Sequence, residues 1–143
     1  MTAKELMKQC EAEEKELKFR EFSSETALAI GMALIEEAKK RDNKICIDIA
    51  IAGRRLFHYS SDGNAVSNDI MIERKKKTAM HTGHSSLWAH YMLEDCGMNI
   101  KEKWALEPSE YAQVGGAFPI RLENCQTVIG LSLIHISEPT RLA

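Results

Sequence analysis

The stretch IERKKKTAMHTGHSSLWAH gathers most of the residue types in this chain that could do chemistry. It holds Arg74, Lys75, Lys76, Lys77, His81, His84 and His90 within one helix-forming segment. Histidines three apart face the same side of a continuous helix. His81 and His84 could therefore present neutral imidazoles to a metal or to haem iron, with the adjacent cations pairing with propionates. No third Asp, Glu or Cys accompanies this H-x-x-H spacing, so the pair reads as exposed or packing histidines and no metal site is expected. A lysine run is ordinarily a solvated helix face. If it recognises an anion instead, Arg74 is the strongest single candidate, because a guanidinium grips a carboxylate bidentately and lysine does not.

Other chemistry is sparsely represented. There is no nucleophile elbow, Walker sequence or dinucleotide fingerprint, and Gly115-Gly116 lacks the strand-to-helix setting of a phosphate cradle. Those glycines let a backbone enter a strand or approach a neighbour closely, and a ligand could use the same gap. Asp48 lies on an apolar run and could be a buried acid, although an alternating strand exposes every second residue. No catalytic residue is assigned. Cys10, Cys46, Cys96 and Cys125 show no C-x-x-C spacing, so reduced thiols are expected, with Cys46 and Cys125 acting as small hydrophobes in strand-like runs.

The elements that must position these residues follow from periodicity. Met1 to Leu17 sets Leu6, Cys10 and Leu17 among Lys and Glu at helical intervals, which predicts a solvated helix packing along a thin stripe. FSSETALAIGMALIEEAKKRD offers Ser23 or Ser24 as N-cap, Glu25 in the first turn, an apolar face from Ala27 to Ala38, and Lys39 to Arg41 at the end. Ile45 to Ile51 and Leu56 to Ser60 read as a hairpin around Gly53, and SSDGNAVSND as a turn-rich loop. Ile70 to Asp95 predicts one long central helix that Gly83 kinks or splits, capped by Gly97. Lys101 to Leu106 suggests a short turn, and GGAFPIRLENCQTVIG a strand, a turn at Glu123-Asn124 and a strand.

Strands bracketing helices through short connections favour an α+β fold with an antiparallel sheet. At 143 residues, 44% apolar and 28% charged, the chain fits one soluble globular domain. A net charge of -2 gives no pull toward nucleic acid or anionic membrane. The longest apolar runs are too short to span a bilayer and Met1 to Phe19 is not signal-like, so the expected location is cytoplasmic.

The final residues carry a separate signal. LSLIHISEPTR, Leu131 to Arg141, coincides with the translation of a sequencing-library adapter. The expected organisation is therefore a single truncated domain, 1–130, followed by a non-native tail, 131–143. His135, Glu138 and Pro139 receive no functional reading, and a four-stranded sheet stopping at Gly130 would leave an open edge. LSLIHI can nevertheless extend the strand begun at Thr127.

FREFSSETALAIG, ICIDIAIAGRRLFHYSSDG, NDIMIERKKKTAMHTGHSS and EYAQVGGAFPIRLENCQTVIG, in that order, resemble the family of small proteins grouped with haem-degrading HbpS, GlcG and the C-terminal domain of PduO. The resemblance runs from about Cys10 to Gly130. It implies a three-layer α/β/α, profilin-like fold with a five-stranded antiparallel sheet, usual assembly into homo-oligomers, and binding or degradation of haem or a related tetrapyrrole. The implied region holds Asp62, Gly63, Asn68, Arg74, Lys75, Ser85 and Ser86, faced by Gly115, Gly116, Phe118 and Pro119. With His81 and His84 added, the candidate cofactor-binding residues are Arg74, Lys75, His81, His84, Ser85, Gly115, Gly116 and Phe118. The chain departs from the family pattern at Lys76-Lys77, His81 and His84, and it lacks the family's later strand, Ser-Gly-Leu-Pro turn and final helix. The alternative function is a non-catalytic adaptor whose first helix completes its burial against a partner protein.

Overall fold

A computed structural model describes residues 1–16, 18–51, 54–123 and 128–136. Gly53, Asn124, Cys125, Glu138 and Pro139 lie outside the described residues. The elements run α1 (Ala3–Glu16), β1 (Lys18–Phe19), α2 (Ser24–Lys40), β2 (Lys44–Ile51), β3 (Arg54–Ser60), α3 (Val66–Thr82), α4 (Ser86–Cys96), α5 (Ile100–Trp104), β4 (Ala117–Leu122) and β5 (Val128–Ile136). Among them no helix is long and apolar enough to cross a membrane.

The sheet has the order β1-β4-β5-β2-β3. β5 runs antiparallel to both β2 and β4, and β2 to β3. The sheet is mixed rather than wholly antiparallel, because Lys18 and Phe19 pair in parallel with Arg121 and Leu122. It also has five described strands instead of four: two residues of β1 form an edge that no periodicity announces. β5 continues through Leu131 to Ile136 in register with Lys44 to Ile49 of β2, as the β-favourable run LSLIHI allows. It is therefore the middle strand of the sheet, and no open edge falls at Gly130.

Alternation along β2 sorts the two faces. Ile45, Ile47 and Ile49 look toward α2, where Ala27, Ile35 and Ala38 meet them, with Ile30, Leu34, Phe57 and Ile120 completing the core. Each of the three buried isoleucines of β2 contributes about 1.5–3 kcal/mol by leaving water. Cys46, Asp48 and Ala50 look the other way, under α3, and α1 packs on α4 beyond it through Cys10, Trp88 and Ala89. The result is the three-layer α/β/α arrangement. The thin stripe of α1 is thus covered within the chain.

Local capping explains the helix limits. Ser23 and Thr26 form a capping box at the start of α2. Ser85 caps α4 by accepting from the Trp88 N–H, and Gly97 ends that helix in the left-handed region at φ 68°. The single long central helix of the sequence reading is two helices. Gly83 adopts φ 73° and terminates α3, so His81 and His84 do not share one continuous helical face.

Candidate functional site

The face of the sheet beneath α3 carries a chain of polar contacts. Asp48 is fully buried on β2. Its Oδ1 accepts from Lys76 Nζ at 2.7 Å, while its Oδ2 accepts from Arg55 Nε at 2.8 Å and lies 2.9 Å from His58 Nδ1. Burial on its own would raise the Asp48 pKa. The hydrogen bonds from Lys76 and His58, with the charges of Lys76 and Arg55, outweigh it and hold the carboxyl below its ordinary range. His58 Nε2 in turn lies 3.2 Å from Asp69 Oδ1, which also accepts from Cys46 Sγ at 3.1 Å. Burial, then the bond to Asp69, pushes the Cys46 thiol up to about 11. Cys46 is more than the small hydrophobe its run suggested.

The lysine run divides in the same way. Lys75 and Lys76 are buried, and only Lys77 keeps substantial exposure. The expected solvated face therefore holds for Lys77 and fails for its two neighbours, which turn toward the sheet and β4. Lys76 Nζ also stands 2.7 Å from Glu73 Oε2 as an ion contact, off the direction of a hydrogen bond. Lys75 Nζ donates to the Gly115 carbonyl at 3.2 Å, and burial pushes its ammonium down to about 8.

The candidate residues do not gather in one place. Arg74 binds backbone: its Nη2 donates to the carbonyls of Pro108 and Tyr111 at 2.6 and 3.3 Å, fastening that loop to α3. Lys75, Gly115 and Gly116 meet at a seam just before the entry to β4, where Gly115 is exposed, while the Ser85 side chain turns away to cap α4 at the Trp88 N–H. There Ser86 Oγ accepts from the Ala117 N–H at 3.0 Å, Gly116 takes φ 123°, and a Cβ on Gly115 would touch Leu87. His81 lines a cleft of about 450 Å³ with Glu73, Lys76, Lys77, Met80 and Tyr111. Its ring stands edge-on to Tyr111 with centroids 6.1 Å apart.

His84 belongs to another cleft, of about 420 Å³, bordered by Glu11, Glu14, Lys15, Lys18 and Arg121. It stacks on Trp88 at 3.9 Å and its Nδ1 lies 2.8 Å from the buried Glu14 carboxylate. Phe118 sits on the α2 side of the sheet, because its neighbour Pro119 pairs with Gly130 beneath Lys76. The arrangement thus brings Lys75, Gly115 and Gly116 together, with Ser85 held by Glu14 and Trp88 instead. His81, His84 and Phe118 stand apart from that seam and from one another.

His58 and Asp69 were not recognisable as site residues from sequence. His58 sits within RRLFHYS, which reads as a strand, and its partners are ten and eleven residues away.

The family described as "Haem degrading protein HbpS-like" matches residues 22–134. The chain belongs to that family. It is similar to a UPF0303 protein of Edwardsiella ictaluri, 34% identical over 133 residues, covering 93% of this chain and 85% of the relative. A UPF0303 protein of Streptomyces coelicolor is 35% identical over 124 residues, covering 87% of this chain and 75% of that protein. Among solved structures, the Ybr137w protein superposes with a TM-score of 0.83 at 29% identity, over 92% of this chain and 78% of that one. HbpS itself superposes with a TM-score of 0.65 at 19% identity, over 82% of this chain and 79% of that one, a likeness of fold.

Proposed function

We propose that this chain binds haem or a closely related tetrapyrrole in the cleft between α3 and the Pro108–Tyr111 loop. The observation that carries this reading is the composition of the cleft: His81 offers an imidazole, Met80 a thioether, Tyr111 an aromatic wall and Lys77 an exposed ammonium. Iron takes imidazole and thioether ligands, and an ammonium suits a propionate. When bound, the haem supplies the iron and its redox chemistry, while the protein binds, orients and shields it. His81 is the residue placed to ligate and Lys77 the one to hold a carboxylate. Arg74 acts behind them by fixing the Tyr111 backbone. Lys75, Gly115 and Gly116 brace the adjoining seam, and Ser85, His84 and Phe118 play no part in this cleft. Membership of the HbpS-like family supports haem as the tetrapyrrole and haem degradation as the activity to assay.

The same reading takes the protein as a cytoplasmic homo-oligomer. Val66 and Ile70, one helical turn apart on α3 and both exposed, supply apolar surface for self-association. An adaptor role is the runner-up, supported by exposed Leu28 and Met32 on α2. The helix that first suggested it, α1, packs against α4 instead. Equilibrium titration with haem and with its dimethyl ester separates the readings. Tetrapyrrole binding through Lys77 requires tighter binding of the free acid and loss of that preference in Lys77→Gln. Binding of neither compound would remove the proposal.

A further inference from the structure

Three ligand-type atoms converge where β2, β3 and the first turn of α3 meet. Cys46 Sγ, His58 Nε2 and Asp69 Oδ1 lie within 4.8 Å of one another. We propose that Cys46, His58 and Asp69 form a binding site for a divalent cation of the zinc class, with a fourth position open to solvent. The donor set is one thiolate, one imidazole and one carboxylate, the types such ions take, and three protein ligands with an open fourth position is the arrangement of reactive rather than purely structural zinc sites.

The distances suit the ion. Zinc bonds to sulfur, nitrogen and oxygen imply tetrahedral edges of roughly 3.3–3.6 Å between ligand atoms. Cys46 Sγ and His58 Nε2 stand 3.1 and 3.2 Å from Asp69 Oδ1, so those two edges need to open by only a few tenths of an ångström, and the third lies within 4.8 Å. Two of the ligands are fixed by the sheet. Cys46 pairs with Ser60 and Asp48 with His58, which sets Cys46 and His58 as diagonal neighbours on one face.

The surrounding groups favour the metal-binding tautomer. Asp48 Oδ2, itself anchored by Lys76 and Arg55, sits 2.9 Å from His58 Nδ1. A carboxylate there takes the Nδ1–H and leaves the Nε2 lone pair directed at the site, the outer-shell arrangement common around metal-bound histidine. With that tautomer, Nε2 and Asp69 Oδ1 are two acceptors in contact, which a cation between them resolves. On binding, the Cys46 S–H proton leaves to solvent, and thiolate plus carboxylate neutralise the dication. Cys46 has no exposed surface, whereas the side chains of His58 and Asp69 retain 29% and 39%, so an ion enters past those two. The site uses neither His81 nor His84 and does not depend on tetrapyrrole binding.

Chelator-treated protein should be titrated with Zn2+ by calorimetry and with Co2+ by absorbance, without haem. The expected result is one equivalent of either ion and a thiolate-to-cobalt charge-transfer band that is absent in Cys46→Ser. Asp69→Asn and His58→Gln should each weaken Zn2+ binding at least tenfold, whereas Cys96→Ser, which alters the exposed thiol, should bind as wild type. Wild-type protein showing no charge-transfer band, or folded Asp69→Asn and His58→Gln binding as tightly as wild type, overturns the site. Should a variant not fold, the wild-type cobalt spectrum decides alone.

Discussion

Lys76 reaches from α3 to the sheet and sets its Nζ 2.7 Å from Oδ1 of Asp48, an ion pair in which the carboxylate has no exposed surface and the lysine side chain keeps 11%. Such a pair is held by its geometry. Removing one partner leaves the other charge uncompensated in a poorly solvated place, at about 3–5 kcal/mol. Lys76→Met should show a loss toward the low end of that range, since Arg55 and His58 still serve Asp48. Asp48→Ala, which leaves Lys76 with Glu73 alone and takes the partner from both Arg55 Nε and His58 Nδ1, should lose more. Urea denaturation of both single variants and the double variant measures the coupling, and additive losses would mean the pair contributes nothing of its own.

Lys75 gives a stability that depends on pH. Its folded pKa of about 8 lies below the ordinary 10.5, so between those values the unfolded chain binds more protons and stability rises with pH. The burial penalty stands in full below the folded value and is relieved as pH climbs toward the unfolded one. The advantage of Lys75→Met over wild type should shrink by on the order of 2–3 kcal/mol between about pH 7 and about pH 10. A gap that stays constant across that range in denaturation experiments would show that Lys75 keeps an ordinary ammonium.

Gly31 of α2 faces the ring of Phe57 on β3. A Cβ there would stand 2.3 Å from Cε1 of Phe57, whose ring packs against the core beneath α2. Gly31→Ala should therefore destabilise by about 1–3 kcal/mol, despite the roughly 1 kcal/mol that alanine gains over glycine in a helix. Thermal melting checks the sign: a raised midpoint would show that Phe57 can move aside freely.

Glu14 ties the first helix to the body of the protein. Its carboxylate is buried, lies 2.8 Å from His84 Nδ1 and accepts from the Ser85 N–H at 3.0 Å. Glu14→Ala should cost about 1–3 kcal/mol by leaving the Ser85 N–H unpaired. In limited proteolysis, α1 should be cleaved faster in the variant than in wild type. Equal rates would mean that the contacts of Cys10 and Met7 with α4 hold the helix without it.

What could be read in the chain was what repeats locally. α2 has an apolar face, a capping box within four residues and basic residues at its end, and β2 sets an isoleucine at every second position. Both were legible, as was the resemblance spread over most of the chain. β1 was not, because two residues have no period and become a strand only through pairing with β4. The start of α3 was missed because Ala65 offers no capping side chain and Val66 is exposed. Lys75 and Lys76 looked solvated because consecutive lysines usually are. Their burial is set by Asp48, 28 residues before Lys76, and by Gly115, 40 residues after Lys75. His58 and Asp69 stayed hidden for the same reason.

Absorption titration of haem into wild-type protein and His81→Ala addresses the central claim most directly. Binding in the α3 cleft through an imidazole predicts a shifted Soret band that saturates at one haem per chain in wild type, with a different band and at least tenfold weaker binding in His81→Ala. A free-haem spectrum throughout, or identical spectra and affinities for the two proteins, would contradict it.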